Sequence, residues 1–148
     1  MPELTQPKNF DTFPQPGWNT PDSVSLALES AANADSETAS WSSYNQLLYA
    51  LGNNHAGTYY PVALAALPSI ERILCDGSPW AQHSVLNVLV DLHGSFEPEV
   101  GHEMYRGSSL SSQLKQGIFA LVSLIETVAQ NKSVASQSAQ DLLELLHD

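Results

Sequence analysis

The chain has one cysteine, few basic residues and no long apolar segment. A single cysteine among 148 residues excludes an intramolecular disulfide. Because Cys75 falls on the apolar side of a predicted helix, we expect a packed thiol and no redox chemistry. No run of eighteen apolar residues occurs, and the first twenty residues lack the basic start and apolar core of a signal peptide. These absences predict a soluble, cytoplasmic protein of one domain.

Positive charge is scarce. Sixteen Asp and Glu residues against five Lys and Arg give a formal net charge of −11 and a pI near 4.5. Such a chain is repelled by phosphate backbones and anionic lipids, so we expect neither nucleic-acid nor membrane binding. A protein partner with a basic surface is the natural complement, and acidity that serves only solubility is the alternative.

Familiar catalytic and cofactor motifs are also absent. The phosphate loop, G-x-G-x-x-G, G-x-S-x-G and the EF-hand do not occur. His102 begins a string like the zinc-protease motif H-E-x-x-H, but Arg106 takes the place of the second histidine. Asp91 with Glu97 or Glu103 could form an acid/base pair, although an acidic binding edge suits these residues better. The sequence therefore predicts a protein that is not an enzyme and binds no metal or cofactor.

Apolar residues recur at steps of three and four along most of the chain, which predicts an all-α fold of about six helices. Three helices are clearest: one ends before Gly52, one begins at Pro61 and one begins at Ser78-Pro79. The third is apolar around most of its circumference, so we expect it at the centre of the fold. Its narrow polar stripe consists of His83, Asn87 and Asp91.

The segments around these helices give further expectations. Residues 1–20, rich in proline, predict an extended arm without regular structure, and residues 21–148 a helical domain. The arm contains three aromatic residues, Phe10, Phe13 and Trp18. Either their rings pack on the helices, or the arm is free and becomes ordered when it binds a partner. Pro68 predicts a bend in its helix, and residues 94–107 a long loop of functional interest. A fifth helix is predicted from Ser108 or Ser109 to Asn131, and a last one begins at Ser133.

A shift of forty-one residues superimposes two helices of the chain. It places Tyr44, Leu47, Leu48 and Leu51 on Val85, Val88, Leu89 and Leu92. This period and the helix count are typical of a short HEAT or armadillo α-solenoid. Four-helix packing with accidental periodicity is the alternative.

The stretch from Leu47 to Phe96 resembles a group of small bacterial HEAT-repeat-like proteins. The strings that carry the resemblance are NNHAGTYYPVALAALPSIERIL and DGSPWAQHSVLNVLVDLHGSF. Some proteins of this kind are immunity partners of secreted antibacterial toxins, so the resemblance implies a protein that binds and neutralises a cognate toxin. A non-inhibitory scaffold or adaptor is the alternative, and an enzyme has less in its favour.

We predict that partner contacts come from an acidic and aromatic set of residues. A basic groove, such as that of a nuclease toxin, would complement it, and the protein itself would be a monomer or weak dimer. The string from His55 to Tyr60 has two interpretations: its tyrosines contact a partner, or they plug the space between helix ends and Gly57 forms a turn. The predicted contact residues are Asp91, Phe96, Glu97, Glu99, His102, Glu103, Tyr105, Tyr59 and Tyr60.

Overall fold

The computed structural model describes residues 10–147. This part of the chain is mostly helical, which confirms the all-α prediction at the level of fold class. The helices are α1 (Ser23–Ala32), α2 (Glu37–Leu51), α3 (Val62–Asp76), α4 (Pro79–Gly94), α5 (Leu110–Phe119), α6 (Val122–Gln130) and α7 (Ser136–Leu146). The first nine residues of the predicted arm, and residue 148, lie outside the described residues.

Serine side chains cap three of the helices. Each hydroxyl accepts a hydrogen bond from a backbone N–H of the first turn: Ser36 from Ala39 at 3.1 Å, Ser78 from Ala81 at 3.3 Å and Ser109 from Ser112 at 3.1 Å. Such caps satisfy N–H groups that lack a partner inside the helix. The starts of α4 and α5 are therefore where the sequence predicts them.

Helix α4 lies between α2 and α7 and contacts α3 on another side. Four residues in its middle, Val85, Leu86, Val88 and Leu89, are fully buried. A helix covered on several sides must be apolar on several sides, which is why its sequence has only a narrow polar stripe. The prediction that this helix is central is confirmed.

The predicted fifth helix is in fact two helices, and the prediction of one continuous helix is wrong. The chain turns at Leu121, whose N–H bonds to the Ile118 carbonyl three residues back at 2.9 Å. Ile118, Leu121 and Ile125 are nevertheless all buried. Because a tight turn keeps the same three-and-four rhythm of apolar residues, the pattern cannot distinguish it from a continuous helix.

Two other details of the helices differ from or extend the prediction. Cys75 is exposed, so the prediction of a packed thiol is wrong. Ile70, Ile73 and Leu74 belong to the buried side of α3. The next position along the helix, residue 75, is rotated away from that side and faces solvent. Pro68 is exposed within an uninterrupted α3, and the bend there stays a prediction.

Within residues 10–147, five strands of two residues each connect the helices, although the sequence predicts none. β1 (Gly52–Asn53), β2 (Thr58–Tyr59) and β3 (Glu97–Pro98) form one sheet in that order. β4 (Met104–Tyr105) and β5 (Ser108–Ser109) pair through the turn Arg106-Gly107, where both residues have positive φ. That geometry is typical of a tight hairpin. Two residues are too few for an alternating pattern to be seen in the sequence.

The described part of the arm contains a short 3₁₀ helix, Phe10–Thr12, where no regular element was expected. The Phe10 ring is buried in the core, and the Phe13 ring is partly buried. The Trp18 indole stacks on Tyr49 and donates a hydrogen bond to the Tyr49 carbonyl at 2.9 Å. Residues 10–19 are thus tied to the helices by both ring and backbone contacts.

None of the helices in residues 10–147 is sufficiently long and apolar to cross a bilayer.

Candidate functional site

Two loops that are distant in sequence lie side by side. β2 and β3 pair in parallel, with Thr58 opposite Glu97. The Glu97 N–H donates to the Gly57 carbonyl at 2.9 Å, and the Glu99 N–H donates to the Tyr59 carbonyl at 2.8 Å. We call residues 52–60 and 94–107 together the two-loop edge. It lies where α2 and α4 end, because each loop follows the C-terminus of one of these helices.

The two-loop edge brings several of the predicted contact residues together. The rings of Tyr60 and His102 lie 5.0 Å apart, and the Thr58 hydroxyl donates to the Glu99 carboxylate. Glu97 and Glu103 are exposed, and Phe96 is partly buried beside them in sequence. Burial, and then the Glu99 carboxylate, raise the pKa of Tyr60, so its hydroxyl stays protonated. The result is an acidic surface with aromatic rings within it.

Three other predicted contact residues have different surroundings. Tyr59 is only 1% exposed, so its ring belongs to the core and is not available at the surface. Tyr105 is partly buried, its ring stacks on Phe13 at 5.7 Å, and its hydroxyl finds no hydrogen-bond partner among the described residues. The Asp91 carboxylate accepts a hydrogen bond from the Tyr44 hydroxyl of α2. Asp91 therefore joins two helices.

The tight turn of the first loop explains the string from His55 to Tyr60. Gly57 has a φ of 75°, a conformation that glycine adopts without strain. The side chain of Asn53 accepts hydrogen bonds from the N–H groups of His55 and Ala56, both at 3.1 Å. After this turn, Thr58 bonds to Glu99 and the Tyr59 ring lies in the core, so the structure fits the interpretation of Gly57 as a turn residue.

A second cluster of rings, which the sequence interpretation missed, lies where α2 meets α4. The His83 ring makes T-shaped contacts with two indoles, with ring centroids 4.9 Å from Trp41 and 5.1 Å from Trp80. Trp41 also meets Tyr44 edge to face at 5.2 Å. We call Trp41, Tyr44, Trp80 and His83 the aromatic face. The sequence signal that could have revealed this cluster is the polar stripe of α4, because it marks the side of that helix that does not face the core.

Each member of that polar stripe is hydrogen-bonded to a neighbouring helix. His83 Nδ1 lies 2.7 Å from the Ser40 hydroxyl, and the Asn87 amide donates to the Ser138 hydroxyl at 2.9 Å. Asp91 bonds to Tyr44, as described above. The stripe thus joins α4 to α2 on one side and to α7 on the other.

Two partly buried histidines, His83 and His93, predict a dependence of stability on pH. Burial lowers the pKa of His83 from 6.5, against an opposing effect of Glu37. Burial and then Lys115 lower the pKa of His93, against a hydrogen bond to the Leu145 backbone. As the pH falls through 6.5, these two imidazoles become protonated in the unfolded chain before they do in the folded chain. The free energy of unfolding therefore decreases below that pH.

We therefore expect the free energy of unfolding to fall between pH 8 and pH 5.5. Urea denaturation at several pH values measures it. The fall should be smaller in His83→Gln and smaller again in the double variant with His93→Gln. Equal slopes in wild type and double variant would contradict the assignment.

The described residues hold no group of three His, Cys, Asp or Glu side chains that could bind a metal ion. Cys75 is solvent-exposed, and the adjacent Asp76 raises the pKa of its thiol, which disfavours the thiolate. In comparisons with known proteins, no family model, curated protein or solved structure matches this chain.

Proposed function

We propose that the protein is an immunity protein that binds a cognate toxin directly and blocks its basic active-site groove. The observation that supports this proposal is the two-loop edge, where the loop that contains Glu97, Glu99 and Glu103 pairs with the first loop and the rings of Tyr60 and His102 lie together. Carboxylates attract a basic groove and speed the encounter, and aromatic rings in the contact slow dissociation. A toxin whose groove is occupied in this way cannot bind its substrate.

The helix contacts support a HEAT-like stack as the scaffold for this surface. α2 contacts α4 and α4 contacts α7, while α1 contacts α3 and α3 contacts both α5 and α6, which is the contact order expected of two stacked rows. The hydroxyls of Ser43 and Ser84, which are 41 residues apart, lie 2.9 Å from each other across α2 and α4. This separation equals the shift that superimposes the two helices in the sequence. A stack of this kind holds its loops at one edge on a rigid support.

A non-inhibitory adaptor is the second candidate. Trp18, Leu26 and Tyr49 are 43%, 53% and 52% exposed, and they line one cleft between the arm, α1 and α2. Exposed apolar side chains that cluster in this way are typical of protein contacts. An adaptor would use this cleft for a further partner of moderate affinity.

Calorimetric titration with the protein encoded by the neighbouring gene tests the proposal. We expect a tight 1:1 complex whose affinity falls as salt is added, because salt screens the exposed carboxylates. Replacing Glu97, Glu99 and Glu103 together with Gln should weaken binding roughly tenfold to hundredfold. This range follows because each ion pair at a surface contributes up to about 1 kcal/mol to the binding free energy.

A matched control changes the same charge elsewhere. Glu29, Glu71 and Glu126 are exposed on α1, α3 and α6, so replacing these three with Gln should leave the affinity nearly unchanged. Equal losses in the two triple variants would show that net charge alone causes the attraction. Absence of binding by the wild type would reject this toxin as the partner and, with it, direct neutralisation.

A further inference from the structure

The aromatic face exposes a tryptophan in an otherwise well-packed layer of helices. Trp41 is 40% exposed, and Trp80, Tyr44 and His83 are partly buried around it. Tryptophan is among the residues that contribute most to binding when a partner covers them. The face lies along α2 and α4, whereas the two-loop edge lies beyond their C-termini, so the two surfaces are distinct.

The rings of this face are held in place before any partner arrives. The Ser40 hydroxyl lies 2.7 Å from His83 Nδ1, and the imidazole makes T-shaped contacts with the Trp41 and Trp80 indoles. Tyr44 is fixed by its hydrogen bond to Asp91. A preorganised surface loses little conformational entropy on binding.

The charge of the surrounding helices decides what can cover the face. Helices α2, α4 and α7 contain no Lys or Arg, and their acidic residues are Glu37, Asp91, Asp141 and Glu144. Glu37 is one turn before Trp41, and its charge acts on His83. The basic residue Lys132 lines a cleft with Trp80 that also includes Asp35. A second copy of this chain would bring like charges together, so self-association here is disfavoured.

We propose that the aromatic face is a docking site for a basic segment of a protein partner, with an arginine or lysine head group against the Trp41 indole. Tryptophan is the best aromatic partner for such a cation, because its ring face carries negative potential. Glu37, whose charge acts on His83, and Asp35, which lines a cleft with Trp80, would neutralise the flanking charges of the segment. The inference is independent of the proposed function, since it requires a basic partner but not a toxin.

The three tryptophan side chains allow a direct test with a peptide of nine arginines. Each indole N–H gives its own signal in a two-dimensional ¹H–¹⁵N spectrum. Trp41 and Trp80 lie on the face, and Trp18, of similar exposure to Trp41, lies on the other side of α2 with Tyr49. We expect saturable shifts of the Trp41 and Trp80 signals and little change for Trp18. Equal shifts of all three signals, or shifts of Trp18 alone, would overturn the proposal.

Variants separate this site from general attraction to an acidic protein. Trp41→Ala should weaken peptide binding about two- to fivefold, as expected for an exposed cation–π contact, whereas Trp18→Ala should not. Replacing Asp35 and Glu37 with their amides should weaken binding more than the same change at Glu29 and Glu71, which are exposed on α1 and α3. Equal effects of the two double variants would overturn the proposal, and so would equal effects of Trp41→Ala and Trp18→Ala. The backbone amide signals of the same spectrum report whether each variant keeps its fold.

Discussion

Replacing Gly52 with alanine is expected to lower the free energy of unfolding by about 3 kcal/mol, a value in the range of severe packing defects. A Cβ at this position would lie 2.0 Å from the Thr58 carbonyl oxygen and 2.6 Å from the Tyr59 Cα. Both contacts are with backbone, which cannot rotate away as a side chain can. Since the Gly52 φ of −177° suits any residue, the cost comes from lack of space and not from backbone strain.

The same change should disturb the two-loop edge. β1 pairs with β2, and β2 pairs with β3, so a separation of β1 from β2 is transmitted to Glu97 and Glu99. Urea denaturation measures the loss of stability. Gly17→Ala is the control, because nothing lies within 4 Å of the added Cβ and the stability should change by less than about 0.5 kcal/mol. Similar small effects at both glycines would contradict the described approach of the two strands.

Replacing Leu89 with alanine is expected to cost about 3 to 5 kcal/mol. The side chain is fully buried in the middle of α4, where α2, α3 and α7 surround the helix. Truncation removes apolar contacts and leaves a cavity that the neighbouring helices can close only in part. Because domains of this size are stable by only about 5 to 15 kcal/mol, the variant should be close to its unfolding transition at moderate temperature.

Leu26→Ala provides the matched comparison for Leu89. The Leu26 side chain is 53% exposed, so the same chemical change there should alter the free energy of unfolding by less than about 1 kcal/mol. Thermal and urea denaturation of both variants give the difference. A loss below 1 kcal/mol for Leu89→Ala would show that α4 is not the packed centre of the fold.

Local patterns predicted most of the helices because each pattern reflects a local cause. Ser78-Pro79 starts α4 through a side-chain cap and a proline suited to the first turn, and both act within four residues. The break at Leu121 was missed because a tight turn preserves the apolar rhythm on both of its sides. The exposure of Cys75 was missed because the apolar pattern does not fix where the buried side of α3 ends, and in the structure that side includes Ile73 and Leu74 but not Cys75.

The candidate site was predicted only in part, since it depends on contacts between distant residues. The acidic composition of residues 94–107 is visible in the sequence, but their pairing with residues 52–60 is not. The pairing brings Glu99 to Thr58 and His102 to Tyr60, and it places Tyr59 in the core. The aromatic face arises in the same way, because Trp41 and His83 meet only when α2 packs on α4.

Growth of cells that express the protein encoded by the neighbouring gene tests the central claim most directly. The account predicts that this protein is toxic alone, that co-expression of the chain restores growth, and that the triple variant of Glu97, Glu99 and Glu103 restores it poorly while remaining folded. A harmless neighbour, or full rescue by the triple variant, would contradict neutralisation through the two-loop edge.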